Sequence, residues 1–182
     1  MSLLLWSGGC DSTLMLYKLL NVVGSSDKIR TISIMHPQLP ANIQQQRARD
    51  KIEKFLNKSQ LSFERTEISM HTNASIVSSG NLIQPPLWLS LAQVHLEATE
   101  DLYVGYIKLD DFWHYHTYAT QAFDNLQYIM GKTGKLKFPL EWLERKEISN
   151  ELKRIKLYDK CWWCENPKNR NTCGKCHACK HH

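Results

Sequence analysis

Short apolar runs alternate with segments of helical periodicity along most of the chain. Four runs predict strands, over 3–6, 31–35, 63–68 and 102–107. The first is apolar throughout, as expected of a parallel strand that is covered on both faces. Helices are predicted over 13–20, 41–57, 87–100, 112–126 and 141–156. In the second helix we expect Ile43, Ile52, Phe55 and Leu56 to be buried. This alternation predicts an α/β fold with a doubly wound, mainly parallel sheet.

The composition predicts a soluble globular protein. Of the 182 residues, 42% are hydrophobic and 23% are charged, which suits a chain that buries a core. No apolar run reaches the roughly 18 residues of a membrane span, and the first residues lack the basic lead-in of a signal peptide. We therefore expect a cytoplasmic protein with no membrane partner. We also expect two units, an α/β domain over 1–158 and a small lobe over 159–182.

Positive charge and cysteine are concentrated at the end of the chain. Residues 153–182 include eight Lys or Arg and two acidic residues, a net charge of +6, whereas the whole chain carries +5. Five of the six cysteines lie in the same segment. Such a basic block suits nucleic acid, and it would equally offset the charge of metal-bound thiolates. Clustered Cys-x-x-Cys pairs favour a metal site over a disulfide framework.

The turn after the first strand has the composition of an anion-binding loop. Its sequence over residues 7–12 is Ser-Gly-Gly-Cys-Asp-Ser. Two glycines allow backbone N–H groups to turn inward, the serine hydroxyls add donors, and the following helix adds its partial positive charge. The simpler alternative is an ordinary strand–helix turn in which glycine serves the backbone alone. No lysine follows the glycines, so the turn is not a Walker A loop.

A second glycine-rich stretch, Gly-Lys-Thr at 131–133, looks like the end of a Walker A loop. The earlier glycine of that motif would stand at position 126, which is Leu126. We therefore expect only a mobile basic loop over 131–135, able to close over phosphates.

The Ser-Gly-Gly-x-Asp-Ser turn resembles the loop of the PP-loop ATP pyrophosphatase superfamily. In that superfamily the loop holds the β and γ phosphates of ATP while a substrate attacks the α phosphate, giving an adenylate. The resemblance implies that Ser7, Gly8, Gly9, Asp11 and Ser12 bind ATP with Mg²⁺, and that Asp11 and Ser12 also act in catalysis.

The cysteines at the end of the chain have metal-site spacing. They follow the pattern C-x2-C-x8-C-x2-C-x2-C, and four thiolates would close a tetrahedral structural Zn²⁺ site. The residues alone leave open which four bind. The segment is similar to the terminal zinc lobe of 7-cyano-7-deazaguanine synthases. That resemblance implies Cys164, Cys173, Cys176 and Cys179 as ligands of one Zn²⁺, and leaves Cys161 as a spare thiol or an alternative ligand.

The resemblance to these synthases extends, in order, along almost the whole chain. Gly105 and Asp110 resemble the strand-end Gly-x-x-x-x-Asp of the family, which implies that both lie at the substrate. For Asp110 the resemblance leaves two roles open, orienting the substrate or orienting Mg²⁺. Lys146 lies in a segment similar to the family's Lys-x-Glu-Ile, which implies a catalytic lysine facing the nucleotide phosphates. Without the resemblance, Lys146 is more simply a solvated charge on a helix.

Two departures concern the substrate side. Gln84-Pro85 stands where the family has Arg-Asn, and the stretch 112–118 replaces a Tyr-Pro-Asp-Cys-Arg sequence. Aromatic and histidine side chains of this stretch, with His114 among them, suit contact with a flat base. An amphipathic helix start with aromatic packing explains the same residues equally well.

The resemblance implies an ATP-dependent carbon–nitrogen ligase of queuosine biosynthesis. Such an enzyme adenylates the carboxylate of a 7-deazaguanine base, then converts it with ammonia to the amide and the nitrile. The departures leave open a relative that joins a deazaguanine to an amine on a protein or another acceptor. The basic C-terminal block leaves open a non-catalytic, zinc-dependent module that binds nucleic acid. A homodimer stays open as well.

Overall fold

The computed structural model describes residues 1–22, 28–36, 39–70, 84–108 and 110–180, with the backbone alone for Gln84 and His177. The strands are β1 (Ser2–Leu5), β2 (Ile29–Met35), β3 (Glu64–Ser69), β4 (Asp101–Val104) and β5 (Leu136–Lys137). The α-helices are α1 (Cys10–Val22), α2 (Asn42–Lys58), α3 (Gln84–Val94), α4 (His116–Ile129), α5 (Arg145–Arg154) and α6 (His177–Lys180). Two 3₁₀ turns, Asp111–Tyr115 and Tyr158–Lys160, precede α4 and follow α5.

The five strands form one parallel sheet in the order β3-β2-β1-β4-β5. The chain builds outward from β1 to β3 on one side, then crosses over and continues with β4 and β5 on the other. The strand order therefore reverses between β1 and β4. In open parallel sheets, ligands bind outside the carboxyl ends of the strands at such a reversal. The sheet confirms the predicted doubly wound α/β fold and locates its binding edge.

Helices cover both faces of the sheet, because successive strand residues point to opposite sides. Leu4 lies in a core with residues of α1, α2 and α5, whereas its neighbour Leu3 lies in a second core with residues of α3 and α4. The continuous apolar run of β1 is thus explained by burial on both faces. Among the described helices, none combines the length and the apolarity needed to cross a membrane.

Several element boundaries differ from the predicted ones. Ile43 is 60% exposed in the first turn of α2, so its predicted burial is wrong, whereas Ile52 and Leu56 are buried as predicted. The helix predicted over 87–100 is α3, which begins earlier, at Gln84, and ends earlier, at Val94. α5 begins only at Arg145, because Glu144 forms a capping box that fixes the start of the helix.

The predicted mobile loop over 131–135 is instead a packed connection at the amino edge of the sheet. Lys132 Nζ donates to the carbonyl oxygens of Gln93, Val94 and Leu96, at 2.6–3.2 Å, and thereby caps the end of α3. Gly134 approaches the backbone of Glu100 so closely that a Cβ would lie 1.8 Å from its carbonyl oxygen. The loop precedes β5, on the opposite edge from the turn after β1. The prediction that it closes over phosphates there is wrong.

Candidate functional site

The predicted phosphate loop is the turn that joins β1 to α1 at the carboxyl edge of the sheet. Gly8 has φ +83°, a conformation that glycine adopts without strain. Ser7 Oγ accepts a hydrogen bond from the Gly9 N–H at 3.2 Å and lies 3.1 Å from Ser12 Oγ. Because α1 begins directly afterwards, its N-terminal N–H groups and partial positive charge lie at this turn. The structure brings Ser7, Gly8, Gly9 and Ser12 together in a loop suited to an anion.

Gly105 follows β4 and packs against the beginning of α1. A Cβ at this position would lie 2.7 Å from Ser12 N and 2.8 Å from the carbonyl carbon of Asp11. A side chain here would collide with backbone rather than with a flexible group, so the close approach of β4 to α1 requires glycine. This contact gives Gly105 a structural role beside the phosphate loop. Its predicted contact with the substrate stays a prediction.

Asp11 and Asp110 face a shared arginine in the first turn of α5. Arg145 Nη2 lies 2.5 Å from Asp110 Oδ1, and Arg145 Nη1 lies 3.9 Å from Asp11 Oδ2. The Ile107 N–H donates to Asp110 Oδ2 at 2.9 Å and fixes that carboxylate. Burial raises the pKa of Asp11 to about 7, the charge of Asp110 adds to the shift, and Arg145 opposes it. Two carboxylates and one guanidinium therefore lie beside the phosphate loop.

The second carboxylate oxygen of Asp11 is placed to bind a cation. Asp11 Oδ1 is buried and has no hydrogen-bond partner among the described residues. A buried carboxylate oxygen without a partner is costly, unless a cation or a donor lies against it. Mg²⁺ binds through one or two carboxylates together with phosphate oxygens of its substrate. The residues present therefore fit an ATP-bound Mg²⁺.

Arg145, rather than Lys146, is the cation that contacts the two carboxylates. Lys146 is exposed on α5 and makes no ion pair with the described residues. When the Glu-Ile of the motif Lys-x-Glu-Ile is aligned with Glu147 and Ile148, the lysine of the motif falls at position 145. This chain has arginine there. The catalytic role of Lys146 stays a prediction, with Arg145 beside it as the better placed cation.

Arg49 of α2 is a member of the site that sequence reasoning missed. Its side chain is buried, and Nη1 donates to the carbonyl oxygen of Ser7 at 3.0 Å. Glu67 of β3 accepts from Nε and Nη2 of the same guanidinium, at 3.1 and 3.0 Å. In the sequence, Arg49 is one charged residue in a highly charged helix, so nothing distinguishes it from a solvated side chain. Its position is a product of the tertiary fold.

Cys10 and Cys161 are core residues, 2% and 6% exposed. A hydrogen bond with the Cys161 thiol, together with burial, raises the pKa of Cys10 well above its ordinary value. Cys10 therefore stays a neutral thiol. Cys161 donates to the Leu157 carbonyl oxygen at 3.4 Å, outside the cluster of the other four cysteines. The geometry favours a spare thiol over an alternative ligand.

The other four C-terminal cysteines converge on one point. The sulfur atoms of Cys164, Cys173, Cys176 and Cys179 all lie within 4.8 Å of one another. Cys173 and Cys179 are 3.9 Å apart at sulfur, close to the edge of about 3.8 Å of a tetrahedron with 2.3 Å metal–sulfur bonds. Backbone N–H groups of Lys175 and Cys176 lower the pKa of Cys173 to about 6, which favours its thiolate. The cluster therefore fits a single bound metal ion.

The aromatic stretch before α4 is used largely for packing. Phe112 is buried with its ring 4.4 Å from that of Tyr106, and Trp113 stacks on His116 at 4.3 Å. His114 is exposed, and Tyr118 is 72% exposed. The packing explanation thus accounts for Phe112 and Trp113. Base binding by His114 stays a prediction.

Comparison with known proteins gives a family for most of the chain. The model of the family described as "Queuosine biosynthesis protein QueC" matches residues 71–182. This segment includes Asp110, Arg145 and the four cysteines of the cluster, and it begins after the phosphate loop. No curated protein sequence matches the chain significantly.

Three solved structures share the fold at low sequence identity. A protein described as a predicted subunit of tRNA methyltransferase, from Methanocaldococcus jannaschii, has a TM-score of 0.58 at 15% identity, over 84% of this chain and 73% of that one. The NMN synthetase of Francisella tularensis has a TM-score of 0.56 at 13% identity, over 94% of this chain and 69% of that one. The U34-tRNA thiolase NcsA of Methanococcus maripaludis, solved with its [4Fe-4S] cluster, has a TM-score of 0.54 at 18% identity, over 95% and 61%. These likenesses establish the fold alone.

Proposed function

Because the chain belongs to the family of the queuosine biosynthesis protein QueC, we propose that it activates the carboxylate of a 7-deazaguanine base with ATP and converts it with ammonia to the amide and the nitrile. Family membership supports an ATP-dependent enzyme of the synthase or ligase type. The observation that carries the finer proposal is the convergence of the phosphate loop with Asp11, Asp110 and Arg145. It provides a site for a pyrophosphate leaving group and for the charge that develops during adenylation.

In this proposal the phosphate loop holds the departing pyrophosphate. The backbone N–H of Gly8, the N-terminus of α1, and the hydroxyls of Ser7 and Ser12 supply donors for it, while the Gly9 N–H holds Ser7 Oγ in place. Donors that are already oriented pay no reorganisation cost as negative charge moves onto the leaving group. Pyrophosphate is therefore stabilised most when it departs.

The basic residues of α5 act at the α phosphate. A cation there neutralises the charge that builds as the carboxylate attacks phosphorus. Arg145 is proposed for this role first, because it already lies against both carboxylates, and Lys146 is the second cation at the same helix start. Asp11 and Asp110 would hold the Mg²⁺ that accompanies ATP, and the ion would supply charge neutralisation at the phosphates. Gly105 and Asp110 are proposed to border the base.

The four-cysteine cluster is proposed to hold one structural Zn²⁺. Four thiolates around one ion leave no open position for a substrate. In a [4Fe-4S] cluster each of the four cysteines binds a different iron atom, which spreads the cysteine sulfurs farther apart than around one ion. The mutual distances within 4.8 Å favour a single ion. Zinc, in this proposal, stabilises the fold rather than acting on the substrate.

Transfer of the activated base to an amine on a protein or another acceptor is the second candidate. The exposed side chains of the stretch 112–118 favour this candidate. Tyr115 and Tyr118 are 59% and 72% exposed, and His114 is exposed between Phe112 and these tyrosines. An acceptor larger than ammonia needs such an accessible side.

The product distinguishes these candidates. The protein is incubated with 7-carboxy-7-deazaguanine, ATP, Mg²⁺ and ammonium, and the products are identified by mass spectrometry. The nitrile supports the first candidate, while an adenylate or an amide that reacts no further supports the conjugating relative. No binding of ATP would instead favour a nucleic-acid-binding zinc module.

A further inference from the structure

We infer that Arg49 is a positioning residue, which fixes the orientation of the phosphate loop through the carbonyl oxygen of Ser7. The inference rests on the proposed function, because it assumes that this loop binds the pyrophosphate part of ATP. Arg49 lies on α2, 42 residues from Ser7 in sequence, and belongs to none of the motifs that indicated the loop.

The contact acts on the peptide bond between Ser7 and Gly8. Arg49 Nη1 donates to Ser7 O at 3.0 Å. A trans peptide is planar, with its C=O and N–H pointing in opposite directions. With the Ser7 carbonyl turned toward α2, the N–H of Gly8 must point away from α2. Arg49 thereby decides which way the first glycine N–H of the loop is directed.

The stem of the same side chain fixes the backbone of Gly8. A Cβ on Gly8 would lie 3.0 Å from Arg49 Cγ and 3.0 Å from the carbonyl oxygen of Gln45. Gly8 also has φ +83°, so its conformation is one that glycine alone adopts readily. The backbone of α2 and the Arg49 stem thus pack directly on the residue whose N–H the guanidinium orients. Both contacts hold one peptide unit in one position.

The guanidinium is itself held rigidly. Glu67 Oε1 accepts from Arg49 Nε and Nη2, at 3.1 and 3.0 Å, and from Arg65 Nη2 at 2.5 Å. Burial acts to raise the pKa of Glu67, but its hydrogen bonds to Arg65 and its pairing with Arg49 bring the pKa below the ordinary value. Glu67 is therefore a charged partner that compensates the buried arginine. A buried arginine is retained only where such pairing offsets its desolvation.

Arg65 provides a matched control for Arg49. Both arginines bind the same oxygen of Glu67, and Arg65 also pairs with Asp50 and Glu53, at 2.7 and 2.8 Å. Arg65 makes no hydrogen bond to the phosphate loop among those that the structure describes. Loss of either arginine therefore disturbs the network around Glu67, but only loss of Arg49 releases the Ser7 carbonyl.

The test compares the affinities for ATP and AMP, since the loop is proposed to hold the pyrophosphate part of ATP. Binding is measured by calorimetry for the wild type, Arg49→Met, Arg49→Lys, Arg65→Met and Arg65→Lys. Lysine keeps the charge beside Glu67, but its single ammonium group cannot reproduce the planar guanidinium that binds Glu67 and the Ser7 carbonyl oxygen together. We expect both Arg49 variants to lose roughly tenfold to hundredfold in ATP affinity, the scale of one hydrogen bond to a charged group. We expect AMP affinity to stay within about twofold, because AMP lacks the phosphates that the loop would hold.

The Arg65 variants should lower the melting temperature but keep the wild-type ratio of ATP to AMP affinity. If Arg49→Met fails to fold, Arg49→Lys against Arg65→Lys gives the same comparison. The inference is overturned if the Arg49 variants lose ATP and AMP affinity together, or if the Arg65 variants match them. A wild-type protein that binds no ATP would instead contradict the proposed function.

Discussion

The backbone N–H of Trp162 donates a hydrogen bond of 3.0 Å to the carbonyl oxygen of Gly8. The indole N–H of Trp162 also donates to the carbonyl oxygen of Cys164, the first cysteine of the four-cysteine cluster, at 2.7 Å. One residue thus joins the cluster to the phosphate loop. The two sites, far apart in sequence, are parts of one local structure.

Removal of the metal should therefore weaken nucleotide binding. Without a metal ion the four thiols no longer hold the segment around Cys164, and Trp162 loses its fixed position against Gly8. We expect ATP affinity to fall by roughly fivefold, the scale of one net hydrogen bond. Calorimetry before and after chelation measures the change, with restored zinc as the control. Chelated protein that stays folded by circular dichroism and keeps its full ATP affinity would contradict this coupling.

The metal content should depend on four of the five C-terminal cysteines. We expect elemental mass spectrometry to find one zinc per chain. Cys164→Ser should lose zinc and soluble yield, because folding of such a site is coupled to metal binding. Cys161→Ser is the matched control, since Cys161 lies in the core outside the cluster. Zinc retained by Cys164→Ser and lost by Cys161→Ser would overturn the choice of ligands.

Gly105→Ala should damage the phosphate loop through packing alone. The added methyl group would meet the backbone of Ser12 at 2.7 Å, and such overpacking costs roughly 2 kcal/mol of unfolding free energy. We expect ATP affinity to fall as well, because the start of α1 must move. Gly131→Ala is the control. Gly131 has φ +66° with nothing within 4 Å of an added Cβ, so the change should cost about 1 kcal/mol and leave ATP affinity unchanged. The free energy of unfolding is measured by denaturant titration, and a wild-type value for Gly105→Ala would refute the packing argument.

Arg145 and Lys146 can be separated by paired substitutions. Arg145 contacts Asp110 at 2.5 Å, whereas Lys146 is exposed, so we expect Arg145→Gln to slow AMP release by roughly a hundredfold or more. Lys146→Gln should slow it by less than about tenfold. Both rates are measured at saturating ATP, with folding checked by circular dichroism. The reverse order of effects would return the catalytic role to Lys146.

Features carried by local sequence could be predicted, and those that need tertiary contacts could not. The phosphate loop combines a buried strand, two glycines and a helix start within twelve residues, and the cysteine spacing is itself the ligand geometry. Arg49 reaches the loop only after α2 has packed beside α1, so no local pattern marks it. Arg145 could have been found, because the spacing of Lys-x-Glu-Ile, counted back from Ile148, places the cation at position 145. The division of the chain at residues 158 and 159 stays a prediction.

The loop over 131–135 shows the opposite error. Its glycines and lysines suggested mobility and phosphate contact, because composition alone does not say which sheet edge a loop occupies. In the fold, Lys132 binds helix carbonyl groups and Gly134 allows close approach to the backbone of Glu100. A basic residue beside glycine is thus a weak indication of phosphate binding until it is known which edge of the sheet the loop occupies.

The formation of AMP tests most directly whether this chain adenylates a deazaguanine carboxylate. Metal-loaded protein is incubated with ATP and Mg²⁺, with and without 7-carboxy-7-deazaguanine, and the nucleotides are separated by chromatography. We expect AMP and pyrophosphate to appear only when the carboxylate is present, since the loop is proposed to hold the departing pyrophosphate. ADP and phosphate as the only nucleotide products, or no AMP above the control without carboxylate, would contradict the claim.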